Sequence, residues 1–352
     1  MRTLMIMAGG TGGHVFPGLA VADYVKALGW SVVWLGSRAG MEANLVPARG
    51  YTMALIDFSG LRGKGIKAMV MLPARLLRAF WQSTLAIREH RPDVVLGLGG
   101  YVSFPGGLMA RLLGRPLVLH EQNSVAGLAN RVLALVASRV LAAFPGAIGR
   151  ARVVGNPVRD EILRCPSPEA RYAARTGPLR MLVVGGSLGA KPINDVVPQA
   201  LALLAPEARP IVMHQSGAKH VENLRALYRE KGVTADAVPF IDDMAAVYRE
   251  ADIVVCRAGA LTVSELSAAG VASILVPYPF AVDDHQTGNA RYLSESGAAW
   301  LVPQGEFTAG RLASILSGLN REVLSSMAQK ARSLARPQAT EQVAHECMEL
   351  AR

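Results

Sequence analysis

Two glycine loops half a chain apart constrain this 352-residue sequence more than any other feature. Gly9-Gly10-Thr11-Gly12-Gly13 follows the apolar run Leu4 to Ala8, and Gly185-Gly186-Ser187-Leu188-Gly189-Ala190 follows Met181 to Val184, an offset of 176 residues. Each reads as strand, tight loop and helix, with the first helix expected over Leu19 to Leu28. Glycines let backbone N–H groups turn toward a ligand and let its bulk come close, while a helix start adds about half a positive charge. Both loops therefore suit an anion, although a plain tight turn is the other reading of each.

Between the loops, strand-like and helical stretches alternate. In the first half Val32 to Leu35, Val94 to Leu98, Leu117 to Leu119 and Arg139 to Ala142 are strand-like, with helices expected over Pro73 to His90 and Ala126 to Val136. In the second, Ile211 to His214, Val238 to Ile241, Ile253 to Cys256 and Ser273 to Val276 play the same part. This pattern predicts an α/β chain of two doubly wound parallel-sheet domains with right-handed crossovers. The boundary is expected between Asn156 and Pro168, a stretch with three prolines, giving domains over 1–160 and 161–335 and a C-terminal helix over 336–352 that packs back on the first. Ligands of open parallel sheets bind at the carboxyl ends of the strands, so the site is expected in an interdomain cleft.

The net charge of +10 is unevenly spread: residues 1–160 hold 18 Lys/Arg against 7 Asp/Glu, and the remainder 19 against 20. A basic first half implies an anionic partner, either nucleic acid or an acidic lipid surface. With 6% aromatic residues and no basic stripe interleaved with aromatics, nucleic acid is the weaker reading. Cys165, Cys256 and Cys347 are far apart with no ligand spacing, which predicts a reduced, cytoplasmic protein. The apolar run before the first glycines is too short for a signal peptide, and no run reaches the roughly 18 residues of a spanning helix.

Several motifs bear on chemistry. A dinucleotide fingerprint fails, because Val15 stands where its third glycine belongs and Gly36-Ser37-Arg38 offers no acid for a ribose. Gly63-Lys64-Gly65 lacks the Ser/Thr of a P-loop, and without an Asp-x-Asp the usual carboxylate grip on a metal-bound diphosphate is missing. A diphosphate would be held by amides, helix starts and basic side chains. His14 either caps the loop or, beside an anion site, accepts a proton from a sugar hydroxyl, and general base is the preferred role. Gly99-Gly100-Tyr101-Val102-Ser103-Phe104-Pro105-Gly106-Gly107 is either a second phosphate cradle, through Gly100, Tyr101, Ser103 and Gly106, or a long irregular turn. His120-Glu121-Gln122-Asn123 is expected to project from the same sheet edge. Glu265, in the early turns of a helix, either binds a ribose or caps that helix, and Asp283, Asp284, His285 and Gln286 are candidate sugar ligands. Lys64 to Trp81 mixes Lys64, Lys67, Arg75 and Arg78 with Leu72, Leu76, Leu77, Phe80 and Trp81, too apolar for a solvated face and suited to dipping into a bilayer surface or to packing on its own sheet.

With these pieces, the chain resembles the MurG family of bacterial transferases, which add N-acetylglucosamine to lipid I. The matching segments are Gly9 to Ala22, Ser59 to Lys67, Asp93 to Gly107, His120 to Leu128, Val154 to Arg159, Val183 to Ala190, Phe240 to Ala245, Val255 to Gly270 and Gln286 to Ala290. The likeness implies a GT-B fold of two Rossmann-like domains, UDP-N-acetylglucosamine (UDP-GlcNAc) as donor, no required cofactor or metal, and inversion to a β-1,4 linkage in peptidoglycan synthesis. It implies donor contacts at Thr11, Gly12, Gly13, Asn123, Arg159, Ser187, Ile241, Ala260, Leu261, Thr262, Val263, Ser264, Glu265 and Gln286, with uracil near Ile241, ribose on Glu265 and His14 as base. It further implies lipid I against the basic N-terminal loops, a peripheral place on the cytoplasmic face of the inner membrane, and contact with other cell-wall or division proteins. Because Pro277 to His285 varies in that family, Gln286 is a firmer ligand than Asp283, Asp284 or His285. A UDP-GlcNAc 2-epimerase and a silent nucleotide-sugar sensor are the rival readings.

Overall fold

The computed structural model describes residues 1–58, 71–173 and 175–351. These divide into two compact units, Met1–Arg159 with Arg336–Arg352, and Asp160–Ala335. Unit 1 holds the strands β1 (Thr3–Ala8), β2 (Ser31–Ser37), β3 (Thr52–Ile56), β4 (Val94–Gly99), β5 (Leu117–Glu121), β6 (Arg139–Ala142) and β7 (Arg152–Val153). They form one parallel sheet in the order β3-β2-β1-β4-β5-β6-β7. Unit 2 holds β8 (Arg180–Val184), β9 (Ile211–Gln215), β10 (Asp236–Val238), β11 (Ile253–Cys256), β12 (Ala272–Leu275) and β13 (Ala299–Leu301), again parallel, in the order β10-β9-β8-β11-β12-β13.

The central strands are apolar without alternation because helices cover both faces. In unit 1 the helices Gly12–Ala27, Glu42–Ala48 and Ala339–Leu350 bury Val15, Leu19, Val46, Val343 and Cys347 against Leu4, Ile6 and Trp34 on one face. The helices Leu72–His90, Ser103–Leu112 and Leu128–Ala134 bury Ala79, Ile87, Ala110 and Leu133 against Met5, Met7 and Leu35 on the other. In unit 2, Ile193, Val197, Leu224, Leu312 and Leu324 pack on Met181, Val183, Ile253 and Val255. At about 25 cal/mol per Å² of apolar surface, these layers supply the main favourable term in folding each unit.

In each sheet the strand order reverses direction beside the first strand, between β1 and β4 in unit 1 and between β8 and β11 in unit 2. Connections leave such a switch point on opposite faces and open a crevice at the strands' carboxyl ends, where both glycine loops emerge.

The first helix starts at Gly12, well before the expected Leu19, so His14 lies in its first turn and not in the preceding loop. Gly12, Gly13, Pro17 and Gly18 conceal the helical pattern, but burial of Val15, Leu19, Ala22 and Val25 outweighs their poor propensity. Gly18 is needed for packing: a Cβ there would stand 2.5 Å from the Trp34 ring. The expected strand Val238 to Ile241 ends at Val238, since Pro239 cannot donate to a ladder. Asp160–Leu163 and Pro168–Ala173 are short helices within the stretch read as a linker. Of the segment read as membrane-facing, residues 64–70 lie outside the described residues.

Candidate functional site

The unit 1 site is built where the β1 and β4 loops meet. Gly100 has φ +83°, and a Cβ there would collide with the Gly9 carbonyl at 2.3 Å, so the two loops touch backbone to backbone. The Ser103 hydroxyl donates toward the Met7 and Gly99 carbonyls at 2.9 and 2.7 Å and accepts from the Gly99 N–H at 3.1 Å. Below them, Glu42 is fully buried, accepting the N–H of Gly10 at 3.0 Å and of Ser37 at 2.9 Å. The first glycine loop is thus partly closed by a carboxylate of the protein itself.

His14 stands half-buried on this platform, and its Nδ1 lies 3.0 Å from Gln122 Oε1. No hydrogen-bond partner of its Nε2 occurs among the described residues. Gln122 is buried and its Nε2 donates toward His120 Nδ1 at 3.1 Å, while His120 Nε2 lies 2.8 Å from the Gly155 carbonyl. Burial pushes the His120 ring down to about 4, so it is neutral at physiological pH. Glu121 is consumed locally, accepting from Asn123 N–H at 2.9 Å, Asn123 Nδ2 at 3.1 Å and Asn130 Nδ2 at 2.7 Å. The Arg159 guanidinium lies 5.5 Å from the Phe16 ring centre.

In unit 2 a cavity of ≈ 420 Å³ opens at the switch point, lined by Gly185, Gly186, Gly189, Ala190, Lys191, Pro192, Arg257, Gly259, Thr262, Tyr278 and Gln286. Two helices, Lys191–Ala202 and Ala260–Ala269, begin at its wall, and neither start carries a side-chain cap. Arg257 donates to the Val276 and Pro277 carbonyls, each at 3.1 Å, and to Gln304 Oε1 at 2.6 Å, and it lies 5.5 Å from the Tyr278 ring centre. Lys191 pairs with Asp195 at 2.5 Å. Gln215 ties the rim together: its Nε2 donates to the Gly186 carbonyl and its Oε1 accepts the Ile241 N–H, both at 2.9 Å. Two helix starts and two cations at one cavity make an anion site suited to a diphosphate.

The structure groups Thr11, Gly12, Gly13, His14, Gly100, Tyr101, Asn123 and Arg159 in unit 1, and Ser187, Ile241, Ala260 to Glu265 and Gln286 in unit 2. Of the latter set, Thr262 and Gln286 line the cavity, and Gln286 Oε1 is engaged by the Tyr278 N–H at 2.9 Å. The side chain of Val263 is fully buried in the core and offers a ligand nothing. Ser264 donates back to the Ala260 carbonyl at 3.0 Å. Glu265 is no cap: it lies buried in the second turn, 3.4 Å from the Tyr248 hydroxyl.

Two residues expected on a phosphate are turned inward. Ser103 is spent on backbone carbonyls, and Gly106 is a packing glycine of a helix, where a Cβ would meet Met7 Sδ at 2.4 Å. The cradle read over Gly99 to Gly107 is a short loop followed by the helix Ser103–Leu112. Asp284 holds the Thr287 hydroxyl at 2.7 Å and His285 Nδ1 donates toward the Val282 carbonyl at 2.7 Å, so both serve their own turn. Glu42, Gln215, Lys191 and Arg257 escape the sequence reading, whereas Gln122 belongs to the polar run expected at the sheet edge. Arg257 was findable, as a lone cation directly after the apolar run Ile253 to Cys256.

Two parallel-sheet units, each with a glycine loop at its switch point and one with a diphosphate-sized anion cavity, define an enzyme class that handles sugars on nucleotide carriers. The chain belongs to glycosyltransferase family 28: residues 4–142 match the family's N-terminal domain and 180–345 its C-terminal domain. It is 62% identical over 350 residues, 99% of this chain and 98% of the other, to the UDP-N-acetylglucosamine--N-acetylmuramyl-(pentapeptide) pyrophosphoryl-undecaprenol N-acetylglucosamine transferase of Cupriavidus metallidurans. The Ralstonia nicotianae protein of the same name is 61% identical over 354 residues, covering 100% of this chain and 97% of the other. Among solved structures, Acinetobacter baumannii MurG superposes with a TM-score of 0.87 at 42% identity, over 99% of this chain and 100% of that one. The kitacinnamycin glycotransferase shares the fold alone, with a TM-score of 0.71 at 19% identity over 99% of each chain.

Proposed function

We propose that this enzyme moves N-acetylglucosamine from UDP-GlcNAc to the C4 hydroxyl of the N-acetylmuramic acid in undecaprenyl-pyrophosphoryl-MurNAc-pentapeptide (lipid I), making the β-1,4-linked disaccharide of lipid II for peptidoglycan synthesis. The reading rests on the names of relatives at about 60% identity across the whole chain and, chemically, on one observation: the imidazole of His14 has Nδ1 engaged and Nε2 open, at the switch point of unit 1. In a single displacement, the C4 oxygen attacks the anomeric carbon, its proton passes to His14 Nε2, and the bond from the anomeric carbon to the diphosphate breaks on the opposite face. UDP leaves with its electron pair. The amides of the Gly185–Ala190 loop, the two helix starts, Lys191 and Arg257 would stabilise that charge, a preorganised electrostatic role. Thr262 and Gln286 would hold the sugar nucleotide, Ile241 the base and Glu265 the ribose.

Lipid I would approach unit 1, whose helix Leu72–His90 buries Ala79, Ser83, Ala86 and Ile87 and leaves Leu77, Trp81 and Leu85 exposed in a stripe at four-residue spacing. Leu112, on the helix packed against it, and Leu128 and Leu135, at the two ends of the next helix in the same layer, are exposed as well. With no described helix long and apolar enough to cross a membrane, the proposed attachment is peripheral, to the anionic cytoplasmic face of the inner membrane. The deciding assay is UDP release from UDP-GlcNAc with and without a lipid I analogue. Release that depends on the analogue is expected; acceptor-independent epimerisation, or binding without release, would overturn the reading.

A further inference from the structure

We infer that His120 and Gln122 are positioning residues that fix the tautomer of His14, keeping its proton on Nδ1 and its lone pair on Nε2, and that the Gly155 carbonyl sets the direction of the whole chain. The inference deepens the reading of His14 as base and rests on it for its catalytic meaning.

The argument starts at the end farthest from the reaction. A backbone carbonyl can only accept, so His120 Nε2, 2.8 Å from the Gly155 oxygen, must carry a proton. His120 is fully buried and held neutral by that burial, so it has one ring proton and its Nδ1 presents a lone pair. The group 3.1 Å from that lone pair must therefore be the NH₂ end of the Gln122 amide. With the amide so turned, its carbonyl end faces His14 Nδ1 at 3.0 Å, and that nitrogen must carry the proton. His14 Nε2 is left as the acceptor.

The opposite polarity fails at the buried end. Turning the Gln122 amide over would set its oxygen against His120 Nδ1 and demand a proton there. His120 Nε2 would then either lose its proton and face the Gly155 oxygen as a second acceptor, or keep it and bury a cation beside a Glu121 carboxylate already engaged by Asn123 and Asn130. An unmade buried hydrogen bond costs about 1–3 kcal/mol, and a buried charge more. The neutral histidine side chain in water favours the proton on Nε2, which would leave His14 with no lone pair on its open side. The relay reverses that preference without adding charge, and an imidazolium formed at His14 keeps the same Nδ1–H donor, so nothing in the chain has to rearrange as the proton arrives.

The anchors at both ends are rigid. Gly155 has φ +89°, and a Cβ there would lie 2.3 Å from Arg336 Cβ, so only glycine lets its carbonyl sit where it does. Asn156 Nδ2 donates to the Gln122 carbonyl at 3.1 Å and pins the backbone of the middle residue. Gly99, at φ +105°, would place a Cβ 2.9 Å from His14 Cε1, so the β4 loop walls the imidazole in place.

The test reads the ring directly. Wild-type enzyme labelled with ¹⁵N in its histidine rings, observed at a pH where they are neutral, is expected to give His14 a protonated, pyrrole-type Nδ1 and a pyridine-type Nε2, with the signals assigned by their loss in His14→Gln. A protonated Nε2 in the wild type would overturn the inference with no reference to turnover, whereas failure of the base reading would appear only as activity surviving His14→Ala. Gln122→Leu should move the His14 proton to Nε2 and lower kcat by about 10-fold or more with the KM for UDP-GlcNAc nearly unchanged. Gln122→Glu, with its carboxyl protonated toward His120 Nδ1, keeps both the donor to His120 and an acceptor for His14 Nδ1, and should retain the wild-type tautomer and most of kcat. Equal loss of activity in both variants with the His14 tautomer unmoved would mark a merely structural role and refute the proposal.

Discussion

Units 1 and 2 open alike, with a strand, a glycine loop and a helix, yet they differ in who takes the loop's amides. In unit 1 the buried Glu42 carboxylate accepts the Gly10 N–H, and the loop is followed by an ionisable ring. In unit 2 no comparable carboxylate sits on the loop among the described residues; Lys191 and Arg257 stand beside it and the cavity is open. One architecture thus carries an imidazole with one engaged nitrogen in the first case and an open cavity lined by two cations in the second. The same divergence recurs at the buried histidines. His120 passes a hydrogen-bond polarity outward to the site, whereas His214 is spent inside the core between the Tyr228 hydroxyl at 2.8 Å and Asn194 Oδ1 at 3.1 Å.

The largest effect that could break this comparison is loss of chemistry in unit 1 with binding in unit 2 intact. His14→Ala should lower kcat by roughly 10²- to 10⁴-fold while UDP-GlcNAc binding, measured by calorimetry, changes little. Next comes acid. Burial lowers His120 to about 4 and His214 to about 3, so as pH falls below the unfolded value near 6.5 the unfolded chain binds protons first. Stability present at neutral pH is therefore lost between about 6.5 and 4 in unit 1, by on the order of 3 kcal/mol, and continues to be lost toward about 3 in unit 2, by on the order of 5 kcal/mol. Hydrogen exchange followed separately in the two units across that range would check it; equal, flat profiles would contradict it. Arg257→Ala removes a charged donor from the cavity and should weaken UDP binding by roughly 10- to 100-fold, with Arg257→Lys recovering part of the loss.

How far the sequence carried the argument depends on whether a residue acts locally. The glycine loops and the parallel strands were legible, because close backbone approach and buried strands leave local patterns. The start of the first helix was not, since Gly12, Gly13 and Pro17 are poor helix formers and only tertiary burial of Val15 and Leu19 overrides them. Ser103 and Gly106 look like loop residues in a glycine-rich run, but a hydroxyl pointing at Met7 and a missing Cβ against its sulfur are facts of packing. Glu42 and Gln215 were invisible for a related reason. Their partners lie 32 residues away for Gly10 and 26 or more for Ile241 and Gly186, so nothing beside them in the chain reports the contact. The His120 to Asn123 run was recognised as polar at a strand end, but its division of labour, with Gln122 reaching His14 and Glu121 turned to Asn123 and Asn130, required coordinates.

The smallest expected effect sharpens the comparison at the surface. Unit 1 carries the excess basic charge and the exposed stripe of Leu77, Trp81 and Leu85, with Arg75, Arg78 and Arg88 on the same helix. Arg78 is already paired with Asp57 at 2.6 Å and is the least free of the three to meet a lipid headgroup. A basic side chain near an anionic leaflet contributes about 1 kcal/mol, and that contribution is screened by salt, whereas an apolar side chain entering the interface contributes through the area it removes from water. Substituting Arg88→Gln should thus weaken sedimentation with anionic vesicles by roughly fivefold at low salt and have little effect at high salt. Trp81→Ser should weaken it at both. If the two variants showed the same salt dependence, or if neither changed sedimentation, the stripe would be a packing feature of unit 1 and the charge asymmetry between the units would need a different partner.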